Sequence, residues 1–459
     1  MKSIFKMFLV VSLIVGFSVI SALTFGLPTA VAFTPLAGDL ATYDPNNQTF
    51  PTSGDTIKIG VFTPFSGPNA YVGEGFWAVY GFAVHDVNSQ GGILVDGKRK
   101  KIQLIKLDTM VKPAVGKRAA ERFVLQEKGD MFIGTAGSHV NLVAQQTAKK
   151  YKTIYVTAHA YSDALLNAKN FTVYNFRTCG SATTTARAAA YYYAARSESK
   201  FYILAQDYLW GHSYANAFKA ALKEFRPDAE IVGEDYFALF TKDFAPYLEK
   251  VRASGAEVIV TGAWGVDNQN TIKQSRQMGL KNPLIPSRFI TIISPFAGDP
   301  RHLKAIGGPA GVGIVVANDY FLYRSRPGAA KLTEIWTDLW KNKWQDPYNG
   351  ILYRWPGGGW LRDLTSLYWY LDVIQRAGST KPEKVIAAWE GAKFKLFGYE
   401  LYMRPDDHQA IFDHWVSEME FPNTWDLPDN AAARYEAFVV PAKFVMPLFD
   451  EELRGRAGK

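Results

Sequence analysis

Residues 131–162 read MFIGTAGSHVNLVAQQTAKKYKTIYVTAHAYS. Met131, Phe132 and Ile133 form a short apolar run that stops at Gly134, and Thr135-Ala136-Gly137-Ser138 follows as a loop. From 139 to 150 the pattern is helical, with Val140, Val143, Ala144 and Ala148 on one face. Residues 153–157 are a second β-branched run, which ends in Ala158-His159-Ala160-Tyr161. Strand, loop, helix, strand, loop places two loops at the carboxyl ends of neighbouring parallel strands. Open α/β sheets bind ligands there. The first loop also opens a helix, so free main-chain N–H groups and the Ser138 hydroxyl face an incoming anion. The stretch reads as one wall of a binding site.

The same rhythm runs outward on both sides. Residues 57–63 are a buried strand ending at the loop Pro64-Phe65-Ser66-Gly67-Pro68, and a helix follows. Asn88-Ser89-Gln90-Gly91-Gly92 closes that helix with helix-stop chemistry. Residues 101–108 alternate as a strand, and 115–127 form the next helix. After a strand-like segment at 171–178, a second βα series begins, with strands expected at 201–205, 230–234, 257–261, 283–286 and 310–317. Its loops carry Trp210 and Trp264, and helices rich in Trp and Tyr are expected at 331–344 and 361–378. Repeated βα units imply parallel sheets with right-handed crossovers. Two such series predict two α/β lobes that face each other across a cleft.

With 459 residues the chain is too long for a single core. Lys2 and Lys6 precede an apolar run over 8–25, and Pro28-Thr29-Ala30-Val31-Ala32 ends in an A-x-A pattern. This is a signal for export with cleavage after Ala32, hence a periplasmic protein; retention of the run as an anchor is the alternative. Residues 33–55, rich in Pro, Gly, Asn and Thr, read as a flexible arm. Cys179 is the only cysteine, so there is no internal disulfide, and no cysteine follows the apolar run to direct lipoprotein processing. Removing Lys2 and Lys6 from the net charge of +8 leaves +6. The basic residues are scattered, without a stripe of interleaved aromatics, which speaks against nucleic acid.

Motifs for catalysis are missing. The seven histidines, His85, His139, His159, His212, His302, His408 and His414, form no metal spacing, and neither a nucleophile elbow nor a phosphate loop occurs. No enzyme activity and no cofactor are expected. His139 and His159 lie on the two opening loops, where lining or surface roles compete with a shared metal or acid–base role. Cys179 reads as a buried structural thiol.

Several strings resemble the type I periplasmic binding proteins of the leucine/isoleucine/valine-binding family, the extracytoplasmic receptors of ABC importers. They are Ile57-Lys58-Ile59-Gly60 with Ser66-Gly67-Pro68 and Gly73, Asn88 with Gly91-Gly92-Ile93, and Asp108 with Pro113. Ile133-Gly134, Phe176-Arg177-Thr178, Asp207 with Gly211, and Ala377-Gly378 continue the series. The resemblance spans about residues 55–420. It implies two Rossmann-like lobes with parallel sheets, joined by a three-segment hinge that closes on ligand. The crossings are expected at 177–181, 315–319 and 402–405. The implied division is residues 56–178 with 318–403 in lobe 1, and 179–317 with 404–459 in lobe 2.

The family grips an amino acid's carboxylate from the first wall loop and its neighbour. The matching positions are Ser138, His159 and Tyr161. In the facing lobe, where the family often has tyrosines, stand Trp210 and Trp264. Where it has the acidic partner of the ammonium group, the aligned residue is Arg288; Asp267 is the nearest acidic substitute. A fixed cation cannot hold an ammonium, and arginine binds carboxylate through two parallel bonds. Two Trp rings add flat apolar walls of about 150–250 Å² each. The expected ligand is a small organic acid with an apolar or aromatic body, and Val72 and Trp360 complete the candidate lining.

Three readings stand side by side. The first is a receptor that delivers this solute, or a branched-chain or other amino acid, to an ABC permease in the inner membrane. The second is a ligand-sensing ectodomain that keeps the apolar run as an anchor; a mature N-terminus at Phe33 separates it from the first. The third is a secreted hydrolase, which turnover of a bound ligand would reveal.

Overall fold

Five strands that end on glycine or polar residues build the first sheet of the computed structural model. It describes residues 33–44, 46–297, 306–319, 329–343, 358–421, 433–434 and 438–446. The strands are β1 (Ile57–Thr63), β2 (Ile102–Asp108), β3 (Met131–Gly134), β4 (Ile154–Thr157) and β5 (Asn175–Arg177). Their order is β2-β1-β3-β4-β5, all parallel. β3, β4 and β5 are buried at every position, and β3 and β4 are the near-continuous apolar runs that burial on both faces demands. Gly134 pairs with Thr157, and Thr157 with Arg177, so the loops after β3 and β4 emerge side by side.

The second sheet contains β6 (Lys200–Gln206), β7 (Glu230–Phe237), β8 (Val258–Val260), β9 (Thr291–Ile293), β10 (Ile314–Asn318) and β11 (His414–Glu420). It runs β11-β10-β9-β8-β6-β7, with only β11 antiparallel among these. The protein is therefore a two-lobed α/β structure. Helices α1 (Ala70–Ser89), α2 (Ser138–Tyr151), α3 (Leu209–Phe225) and α4 (Gly358–Ala377) frame the cleft or brace it from behind.

Three departures from the sequence reading have physical causes. Residues 283–286 are not a strand. Pro283 and Pro286 offer no N–H, and the segment is an exposed turn closed by Arg288 N–H to Ile285 O at 2.8 Å. The strand lies later, in the β-branched run Thr291–Ile293. Second, much of the arm at 33–55 is docked rather than flexible. Phe33, Leu36, Leu40 and Tyr43 are buried, and the Asp86 carboxylate accepts the N–H groups of Leu36 and Gly38, each at 2.7 Å. Third, Tyr399–Met403 is a strand paired with Lys393–Leu396 and Ala410–Ile411, and Gln409 bridges to Arg177 at the edge of the first sheet. The chain passes to β11 only between Ile411 and His414, beyond the stretch 402–405.

Candidate functional site

Ser138, His159, Tyr161, Trp210 and Trp264 line one cavity between the lobes, together with Ala136, Gly137, Ala160, Tyr208 and Phe296. One wall is made by the loops after β3 and β4. Gly137 has φ 95°, a conformation open to glycine, and this lets α2 start immediately at Ser138. The Ser138 hydroxyl accepts the Ser162 N–H at 3.2 Å, which leaves its own proton to donate.

The main-chain N–H groups of Gly137, Ser138, Ala160 and Tyr161 have no protein acceptor among the described residues, although all four residues are buried. Buried N–H groups are almost always paired. Four of them beside one cavity, two at a helix start, are donors from which an anion could accept.

The facing wall is aromatic. Trp210 sits in the first turn of α3, and its indole N–H donates to Gly262 O at 2.7 Å. Trp264 caps the helix Gly265–Gln277 and donates to the Tyr208 hydroxyl, also at 2.7 Å. With the polar edges anchored in protein, the ring faces are left for packing. Phe296 closes the group, 5.5 Å from Trp210 and 5.3 Å from Tyr161 between ring centres.

The Tyr161 hydroxyl does not point at the cavity as a donor. It gives its proton to Asp319, with the two oxygens at 2.9 and 2.8 Å, and receives a bond from Arg362. Burial pushes its pKa well above the usual phenol range, so it stays neutral. Tyr161 thus contributes its ring and its N–H. His159 is held from behind by the Arg362 guanidinium and lies 3.8 Å from Asp363.

The other candidates fall elsewhere. Arg288 is exposed in the turn that precedes β9, whereas the cavity lies beyond the carboxyl end of that strand, at Phe296. Val72 is buried in the core of α1 and does not line the cavity. Trp360 is in the first turn of α4, and its side chain lies outside the described residues. His139 turns away, its Nε2 at 3.1 Å from Val111 O, and burial lowers its pKa.

Asp267, the acidic substitute considered from the sequence, is buried behind the wall. Its carboxylate accepts Gln206 Nε2 at 2.7 Å and the Phe240 N–H at 3.0 Å. None of the ten lining residues is acidic. Cys179 is fully buried, and burial pushes its thiol up to about 12, which removes it as a nucleophile at neutral pH.

Tyr208, Phe296 and Arg362 were not among the sequence candidates. Tyr208 had a signal, being two residues before Trp210 in the same loop. Phe296 was hidden by the misplaced strand. Arg362 reaches His159 across 203 residues, and no local pattern marks such a pairing.

The family described as periplasmic binding protein matches residues 56–424. An amino acid binding protein of Pseudomonas aeruginosa is 27% identical over 258 residues, 54% of this chain and 66% of that protein, just short of two thirds of its length. Leu/Ile/Val-binding protein homolog 4 of Brucella melitensis is 22% identical over 381 residues, 80% of this chain and 85% of that protein. Among solved structures, an ABC transporter solute binding protein of R. palustris in complex with 4-hydroxybenzoate superposes with a TM-score of 0.70. That likeness covers 84% of this chain and 97% of the other at 20% identity, and concerns the fold.

Proposed function

Because this chain belongs to the periplasmic binding proteins, a family of solute-binding receptors, we propose that it carries a small carboxylate with an apolar or aromatic body to an ABC permease. The observation that supports this most is the pairing of two walls. Four N–H groups of buried residues and the Ser138 hydroxyl are set to receive an anion, and among the described residues no acidic side chain lines the cavity to receive an ammonium. Trp210, Trp264 and Phe296 supply flat apolar surface for the rest of the solute. The same fold holds 4-hydroxybenzoate in the R. palustris protein. Export and cleavage after Ala32 place the receptor in the periplasm, where the permease meets it.

The second reading is a branched-chain amino acid, favoured by the name of the Brucella relative. A thermal-shift screen of benzoate, 4-hydroxybenzoate, 4-methylpentanoate and leucine on the purified protein separates the two. A solute at about 100 times its Kd adds about 2.7 kcal/mol to stability. We expect the acids without an amino group to stabilise the protein and Trp210→Ala to weaken them at least about tenfold. Stabilisation by leucine alone would sink the carboxylate reading.

A further inference from the structure

Asn69, in the loop between β1 and α1, lies against Gly265, in the loop after β8, so their contact joins the two lobes. Asn69 is 3% exposed, and Gly265 is buried. A β-carbon on Gly265 would stand 2.6 Å from Asn69 Oδ1, 3.0 Å from Nδ2 and 3.1 Å from Cγ. Unbonded carbon atoms settle at about 3.5–4.0 Å. Turning the amide about its own bond does not clear Cγ, and burial leaves the side chain little room to swing aside. The loop that carries Asn69 is also fastened, because the Asp108 carboxylate accepts the Phe65 N–H at 2.8 Å and the Ser66 hydroxyl at 2.5 Å. The approach seen here therefore needs a residue without a side chain at 265.

The contact is a stop and not a bond. Asn69 Oδ1 is buried and has no hydrogen-bond partner among the described residues, and the side chain makes no capping bond to α1. Gly265 directly follows Trp264, which lines the cavity opposite Ser138. How far residue 265 advances on Asn69 thus fixes how closely the aromatic wall comes down on the Ser138 loop.

From this geometry we propose that Gly265 is a positioning residue whose missing side chain lets the lobes close until it meets Asn69, and that this pair sets the closed separation of the two cavity walls and with it the affinity for solute. Gly265 has φ 63°, which strains most other residues. That strain is the same whether the lobes are together or apart. The clash with Asn69 exists only when they are together, so a side chain at 265 acts on the open–closed equilibrium, and apparent affinity falls with the fraction able to close. The consequence rests on the reading of the chain as a solute receptor, but not on the chemical class of the solute.

The test places spin labels on the full chain through Lys117→Cys in the first lobe and Lys242→Cys in the second, both exposed, with Cys179 too buried to react. Electron double resonance reads their separation without solute and with benzoate or leucine. The wild-type pair should show the separation seen here, Gly265→Ala should lose it, and adding Asn69→Ala should restore it. Retention in Gly265→Ala overturns the proposal, as does its absence from the wild type under all three conditions. A loss that Asn69→Ala does not reverse also overturns it, since backbone strain would then be the cause. Calorimetry with benzoate reads the consequence: Gly265→Ala should weaken binding about tenfold in the wild-type background and less than about twofold in the Asn69→Ala background. If Gly265→Ala does not fold, Gly265→Asn takes its place, because asparagine tolerates this backbone conformation. If neither benzoate nor leucine binds the wild type, the reading of the solute falls, and the label separations still decide the role of Gly265.

Discussion

Asp267 shows how a residue just behind the wall is tuned by burial. Its carboxyl is nearly inaccessible, and desolvation raises its pKa from the ordinary 3.8 to about 6, against the two bonds from Gln206 and Phe240. Its Oδ1 finds no partner among the described residues, which leaves half the charge without compensation. A raised folded-state pKa means that the native state binds the proton more tightly than the unfolded chain. The stability this supplies is complete below about 3.8 and is lost as the pH climbs through about 6. A shift of this size corresponds to about 3 kcal/mol. Asp267→Asn should therefore raise the melting temperature at neutral pH and leave it little changed near pH 4. Melting curves of both proteins across that range check the slope; an equal gain at both ends would place the effect in packing instead.

At the scale of elements, α1 is the piece on which the N-terminal segment, the first sheet and α4 converge. Its mean character is apolar, and Ala78, Val79, Phe82, Ala83 and Val87 are all buried. Within that apolar helix Asp86 is also fully buried, and every use of it is a hydrogen bond. It accepts from Leu36 and Gly38 in the docked segment, from Gln90 at 3.1 Å and from the Tyr368 hydroxyl of α4 at 2.6 Å. One carboxylate thus fastens three elements. Asp86→Ala would orphan donors from all of them, and bonds to a charged group contribute about 1.5–3 kcal/mol each. We expect a loss of about 3 kcal/mol or more in denaturant titration and new proteolytic cleavage within residues 33–44. Cleavage unchanged from wild type would mean that the buried side chains of Phe33, Leu36 and Leu40 hold the segment unaided.

Across the whole molecule the lobes touch on both sides of the cavity. Tyr161 packs edge-on against Trp210 at 5.6 Å, and His139 against Tyr208 at 5.2 Å. Near the first crossing, the Asp163 N–H donates to Ser213 Oγ at 3.0 Å, and the Ser213 hydroxyl donates back to Asp163 Oδ2 at 3.2 Å. This reciprocal pair joins the first lobe to α3 of the second without touching the cavity. Its contribution exists only while the lobes are together, so it biases the closed population. Ser213→Ala should weaken benzoate binding about fivefold, in line with about 1 kcal/mol of net hydrogen bonding, with the cavity surface unaltered. Isothermal titration checks it, and an unchanged Kd would show that the lobes do not separate at this point.

The order of βα units, the two strand-end loops, Ser138, and the tryptophans at 210 and 264 were legible because each is encoded locally. An apolar run that stops at glycine, or an aromatic at a helix start, needs no distant partner to be recognised. The strand at 291–293 was misplaced onto the prolines before it, and Arg288 entered the expected site as the residue aligned with the family's acidic position. The buried cluster of Arg362, Asp319, Tyr161 and His159 was out of reach of any local pattern. Its bonds join residues 43, 158 and 203 positions apart, and charges so far apart in the chain look like solvated ones until folding removes the water. The sequence by itself determined the two lobes and the strand-end loops that border the cavity. Only the tertiary structure decided which polar groups face the cavity, because that depends on which ones folding has already paired with each other.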